Sequence, residues 1–272
     1  MPLVELNSAT FRVNERELWR DLSISIEEGE FLAILGPNGV GKTSLLQVLL
    51  GEVDLYSGEV RVVGSDPKIA RHDIGYIPQQ RAFDSNMPVR GRDLVHLGVD
   101  GHKFGLPFNR GDCVRQVNSA VDAVGATEFA DAPIGQLSGG EQQRLRVAQA
   151  LVSRPRVLLC DEPLLSLDIS QQQIVSALMD EYRRATKAAV LFVTHDINPV
   201  LAYVDRVLYL VGGRAAIGTP QEILTSERLS ELYGTAVDVL DIRGRVIVIA
   251  GEDGESVHAE HEHSFIHEGH HH

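Results

Sequence analysis

Apolar positions along the chain change period several times, and the changes mark out elements. Leu22 to Ile26 alternates apolar with polar, as in a strand with one buried face. Gly29 turns the chain, and Phe31-Leu32-Ala33-Ile34-Leu35 is apolar without a break, the pattern of a strand covered on both sides. Leu45, Leu46, Val48, Leu49 and Leu50 then follow helical spacing and stop at Gly51. Glu59 to Val63 and Ile74 to Ile77 read as further strands. From about Arg81 to Gln136 strand runs disappear, and Asp93 to Leu97 and Val114 to Val124 carry helical spacing around a Gly-rich stretch near Gly98 to Gly111. Strands resume at Val157 to Cys160, Ala189 to Val193 and Arg206 to Val211, with a helix at Gln171 to Arg184 between the first two. Val237 to Leu240 and Arg245 to Ile249 form a hairpin with Arg243-Gly244 at its turn. The alternation predicts an α/β fold with a helical insertion, and no internal repeat is visible.

Composition narrows the function. The 272 residues are 43% hydrophobic and 23% charged, enough for a large core in one domain or in one domain with an insertion. Net charge is −13, so no basic excess is available to neutralise phosphates, which argues against a nucleic-acid partner. Cys113 and Cys160 are the two cysteines, far apart, which predicts no disulfide framework and a reducing compartment. Met1-Pro2-Leu3-Val4-Glu5 lacks a basic flank and an apolar core, so no signal peptide is expected. No apolar run reaches the roughly 18 to 20 residues of a membrane helix.

Candidate chemistry begins after the buried strand. Gly36-Pro37-Asn38-Gly39-Val40-Gly41-Lys42-Thr43 has the spacing of a phosphate loop opening a helix. Its glycines let backbone N–H groups converge on phosphate oxygens, and the helix points its positive end at the same anion. Lys42 adds a charge near the β- and γ-phosphates, Thr43 offers a hydroxyl to Mg²⁺, and Ser44 reaches the α-phosphate. Val40 is bulkier than the residue usual there. Asp161 and Glu162 stand at the end of the Val157 strand, the edge where open α/β sheets bind ligands. The strand resembles a Walker B pattern, which implies that Asp161 partners Mg²⁺ through water and that Glu162 is the base that polarises the attacking water. Ser138-Gly139-Gly140 precedes a helix expected over Glu141 to Ser153, and reads as a second bare helix N-terminus that attracts an anion. Cys160 reads as a small buried hydrophobe.

The order phosphate loop, Leu137-Ser138-Gly139-Gly140-Glu141-Gln142-Gln143, strand-Asp161-Glu162 resembles the ATP-binding subunit of ABC transporters over about residues 3 to 235. The resemblance implies a P-loop NTPase (RecA-like) core, an N-terminal antiparallel β-subdomain and an inserted α-helical subdomain. It sets an ATPase domain at 1–235, with the insertion at about 81–153 carrying the signature. A β-hairpin extension is expected at 236–251, and a His- and acid-rich tail, expected to be disordered, at 252–272. It implies a homodimer in which Ser138, Gly139, Gly140, Glu141 and Gln142 of one copy close on ATP and Mg²⁺ held by the other. Gln79, in Ile74-Gly75-Tyr76-Ile77-Pro78-Gln79, resembles the Q-loop residue that touches Mg²⁺ and the attacking water. His195, in Thr194-His195-Asp196, resembles the switch histidine on the γ-phosphate, and Asp168 matches the D-loop that meets the opposite subunit. Leu164 and Leu165 replace the usual small and polar residues before it. Where the family stacks an aromatic ring on adenine this chain has Val13, with Phe11 expected in the core, so adenine is expected to be held weakly.

The runs Thr194 to Val200, Asp205 to Leu210, Gly218-Thr219-Pro220 and Glu231-Leu232-Tyr233-Gly234 are similar to ATPases of zinc and manganese uptake. That type implies integral membrane permease subunits, an extracytoplasmic solute-binding protein reached indirectly, and a peripheral position on the cytoplasmic face of the membrane. Two alternatives stand beside it: a soluble ATPase with a non-transport partner, and an importer of iron chelate or haem. The tail interleaves His258, His261, His263, His267 and His270 to His272 with Glu260, Glu262 and Glu268, a composition that suits Zn²⁺.

Overall fold

The computed structural model describes residues 1–79, 83–84, 87–100 and 110–250. A central sheet of six strands carries the molecule: β5 (Ile74–Ile77), β6 (Val157–Asp161), β7 (Ala189–Val193), β3 (Phe31–Leu35), β8 (Arg206–Val211) and β9 (Arg214–Gly218), in that spatial order. The first five run parallel and β9 is antiparallel at the edge. Every residue of β3, β6 and β7 is buried, as expected of parallel strands covered on both faces.

The period-2 geometry of these strands divides the core into two layers. Phe31, Ala33, Leu158, Cys160, Val190 and Phe192 point to one side. Leu32, Ile34, Val157, Leu159, Leu191 and Val193 point to the other. The first side is covered by α2 (Gly91–Asp100), α3 (Arg110–Ala123), α4 (Gly139–Leu151) and α5 (Ile169–Thr186). The second packs on α1 (Lys42–Leu49) and on a three-stranded antiparallel sheet of β2 (Arg16–Ile26), β1 (Val4–Val13) and β4 (Ser57–Val62). Beyond β9 come α6 (Pro220–Ile223), α7 (Ser226–Tyr233) and the hairpin β10 (Val237–Ile242) with β11 (Arg245–Ala250).

Strand order decides what can meet. β7 lies between β6 and β3, so the segments leaving the C-terminal ends of these three neighbours emerge side by side. The phosphate loop leaves β3, Glu162 follows β6, and Thr194-His195 follows β7. β5, which leads to Gln79, is the next strand along. The helices of the middle segment agree with the sequence expectation within a few residues, as do the hairpin strands.

Candidate functional site

The phosphate loop is shaped by its neighbours as much as by any anion. Gly36 has φ of +140°, and a Cβ there would fall 2.0 Å from the Leu210 carbonyl oxygen on β8. Gly41 has φ of +100°, and a Cβ would meet the Trp19 indole at 3.0 Å. Both positions demand glycine for conformation and for space. Val40 is buried among Leu45, Leu46 and their neighbours, which accommodates its extra bulk. Gly41 also caps α1, a helix whose start has no side-chain cap and no acid in its first turn. Its N–H groups are left for an anion. Pro37, Asn38 and Gly39 lie along the outer rim, Thr43 is exposed, and Ser44 is half-buried.

Lys42 is buried and folds back, donating from Nζ to the carbonyls of Gly36 at 2.6 Å and Pro37 at 3.0 Å. Burial lowers its pKa, with the charges of Glu162 and Asp161 opposing. Asp161 is buried at 3% exposure and accepts from Thr43 Oγ1 at 3.2 Å. Burial raises its pKa against the Thr43 hydrogen bond, and Glu162 beside it adds to the rise. Glu162 has φ of +45°, in the left-handed region, and its N–H donates to the Val193 carbonyl at 3.0 Å. That unusual backbone turns the side chain toward β7. His195 Nδ1 stands 3.4 Å from Glu162 Oε2. The contact holds Glu162 below and His195 above its ordinary pKa. A hydroxyl, a buried acid and an ionised acid thus line one mouth, beside an uncapped helix start.

Two further helix starts are occupied rather than bare. Ser138 caps α4, which begins at Gly139, two residues earlier than the sequence suggests. Glu141 Oε2 accepts from the Ser138 N–H at 2.8 Å and from its hydroxyl at 2.7 Å, while the Glu141 N–H reaches Ser138 Oγ at 3.4 Å. The expected bare anion site is therefore a closed capping box in the resting chain. Gly140 packs against Gln171, whose Oε1 would lie 2.3 Å from a Cβ. Gln142 donates to the Ile134 and Leu137 carbonyls, tying the helix to the segment before it. Asp168 caps α5, accepting from the Gln171 N–H at 2.8 Å. Leu164 is buried and Leu165 half-buried, so the residues that depart from the family pattern serve packing.

A family profile described as "ABC transporter" matches residues 19–165, which span the loop, the capped α4 and the paired acids. The chain belongs to the ABC transporter family. It is an ATPase of that family. Curated ABC transporter relatives include the manganese transport system ATP-binding protein MntB of Bacillus subtilis, 33% identical over 231 residues, or 85% of this chain and 92% of that one. The zinc transport system ATP-binding protein TroB of Treponema pallidum is 34% identical over 232 residues, 85% and 86% of the two chains. Among solved structures, a metal-chelate type ABC transporter in an inward-facing conformation matches with a TM-score of 0.77 at 27% identity, covering 91% of this chain and 96% of that one. The cbiO1 chain of Clostridium perfringens, part of the transporter complex cbiONQ, matches at 0.71 with 25% identity, covering 85% and 93%.

Within the ABC frame, other expected residues fall in different surroundings. Gln79 is exposed just past β5. Val13 is 46% exposed at the end of β1, whereas Phe11 is buried and stacks on Trp19 at 5.4 Å, as expected of a core ring. His258, His261, His263 and His267 lie outside the described residues, with the rest of the tail. Sequence reasoning missed three contacts that shape the site: Trp19 under Gly41, the Leu210 carbonyl against Gly36, and Asn198 beyond His195. The first two join segments remote in the chain and leave no local periodic signal. Asn198 stood in a run of recognised type but announces no chemistry by itself.

Proposed function

We propose that two copies of this chain form the motor of an importer for a divalent metal ion, manganese or zinc, acting on separate membrane permease subunits. One observation carries the hydrolytic part: Glu162, ionised and paired with His195, faces the mouth of a phosphate loop whose helix start is uncapped. The manganese and zinc systems in the names of relatives covering 85% of the chain support the cargo.

In this reading the α1 N-terminus and the Gly36 to Thr43 backbone bind the phosphates of ATP. Lys42 leaves the Gly36 and Pro37 carbonyls for the β- and γ-oxygens, and Ser44 meets the α-phosphate. The oxygen pair of Thr43 and Asp161, 3.2 Å apart, suits a hard cation such as Mg²⁺, with Gln79 as a further oxygen ligand. A Mg²⁺ ion held by these oxygens would supply positive charge to the phosphates. Glu162, held ionised, accepts a proton from the attacking water, and His195 contacts the γ-phosphate. The Ser138 to Gln142 edge and Asp168 of a second copy complete the pocket, so loss of the γ-phosphate releases the seam. Val13 gives the adenine an aliphatic contact in place of a ring. The helical insertion docks on the permease at the cytoplasmic face, and the solute-binding protein acts on the far side. Among the described residues no helix is long and apolar enough to cross a membrane, which fits a peripheral motor.

The Glu162→Gln chain should keep ATP-dependent dimers by sedimentation while hydrolysis falls about 10²-fold or more. Unchanged turnover would remove Glu162 from the role of base. Reconstitution with co-purified membrane subunits should give ATP-driven manganese or zinc uptake. Transport of an iron chelate or haem instead would overturn the cargo.

A further inference from the structure

Asn198 lies three residues beyond His195, and its carboxamide works in two directions. Oδ1 accepts from the Val246 N–H at 2.8 Å, and Nδ2 donates to the Val246 carbonyl at 3.0 Å. A side chain thus stands where a neighbouring strand would pair with β11. The same Nδ2 and the Asn198 N–H both donate to Asp196 Oδ1, at 2.8 and 2.9 Å. Asp196 is closed onto Thr194 in turn. Its N–H donates to Thr194 Oγ1 at 3.1 Å, and that hydroxyl donates to the Asp196 carbonyl at 2.7 Å. The Thr194 N–H reaches the Ile34 carbonyl of β3 at 3.2 Å. Both neighbours of His195 are therefore fixed, one to the strand that feeds the phosphate loop and one, through Asn198, to the C-terminal hairpin.

The hairpin does not need Asn198 to stay in place. The Val239 N–H donates to Ser226 Oγ at 2.8 Å and the Val237 N–H to Ser230 Oγ at 2.9 Å, both on α7. Val246 and Val248 also pack on the core below. A clamp redundant for anchoring the hairpin, yet joined to the segment that carries His195, has its consequence at His195. The imidazole is half-exposed and touches Glu162 at a long 3.4 Å. With half its surface open and a long ion-pair contact, its place depends also on the backbone on either side.

We propose that Asn198 is a positioning residue for His195, and that β11 is the fixed point against which the switch histidine is held. The inference rests on the assignment of His195 to the γ-phosphate. It goes further by making a C-terminal hairpin, outside the matched family region, part of the hydrolytic machinery. Misplacing a reacting group by about 1 Å can cost roughly 10²-fold in rate, so a loosened histidine lowers turnover without touching the phosphate loop.

The test compares the full chain with Asn198→Ala and Asn198→Gln. The second keeps the amide but moves it one methylene off register, and serves if the alanine chain does not fold. Two readouts are needed. Amide hydrogen exchange on the resting chain should rise in the peptide over residues 194–200 and stay unchanged over residues 36–43. Steady-state hydrolysis should show kcat lower by about tenfold with KM for ATP within about twofold, the signature of a loss confined to the chemical step. Faster exchange with unchanged kcat would reduce Asn198 to a staple and overturn the proposal, as would unchanged exchange. A parallel loss of kcat and rise of KM, with exchange rising in the phosphate loop as well, would also overturn it, as general loosening. Because exchange is read without nucleotide, a failure of the clamp is told apart from a failure of the γ-phosphate assignment.

Discussion

Glu162 and His195 titrate as partners, and the direction of each shift fixes where their contact stabilises the chain. Glu162 is pulled below its ordinary 4.5 first by the hydrogen bond from His195, so its share is present above pH 4.5 and fades as pH falls through the depressed value. His195 is raised above its ordinary 6.5 first by Glu162, so its share is present below pH 6.5 and fades as pH rises through the raised value. The shares coincide between the two ordinary values. The gap in unfolding free energy between the native chain and His195→Gln should be widest near about pH 5.5 and shrink in alkaline buffer. Solvent screening of the half-exposed imidazole keeps it small. Denaturant titrations across pH would read it, and a gap flat from acid to alkaline buffer would dissolve the pair. Single side chains of this kind were legible in the sequence, because each follows an apolar strand by one or two positions. Their mutual contact was not, since it joins the ends of two strands whose adjacency no local pattern reveals.

Helix starts separate into two kinds. α1 begins on glycine with no side-chain cap, whereas α4 and α5 begin on Ser138 and Asp168, which satisfy their own backbone donors. Ser138→Ala should lower the unfolding free energy of the resting chain by about 1 kcal/mol. An unchanged urea midpoint would mean that Glu141 alone holds the cap. The sequence carries this signal too, as a serine followed three residues later by glutamate, but the glycines between them fit a bare, anion-binding helix start equally well. Other elements were harder to read. β1 is interrupted by a residue at positive φ, Ser8, and by register shifts against β2, so its alternation breaks midway. α7 buries only Leu229 fully, too little for a helical stripe to stand out. β9 is five residues long beside Gly212-Gly213, too short to show a period of its own.

At the scale of the whole molecule the central sheet acts as a divider, with the helical layer on one face and the small antiparallel sheet on the other. Uninterrupted apolar runs announced that some strands were covered twice, yet spatial order had to come from tertiary packing, because any buried strand can pair with any other. The two layers do not contribute alike. The helical side carries the capped α4 edge, while the antiparallel side supplies Trp19, wedged beneath Gly41 with its ring stacked on Phe11. Trp19 is the only tryptophan in the chain and has no exposure to solvent. The protein therefore carries a built-in fluorophore at its nucleotide loop. Adding ATP to the unlabelled chain should change the emission of that indole, and the change should vanish in Lys42→Ala. A spectrum indifferent to nucleotide would mean that the loop fills without stirring the ring below it. The same dye-free signal would let binding be timed separately from hydrolysis.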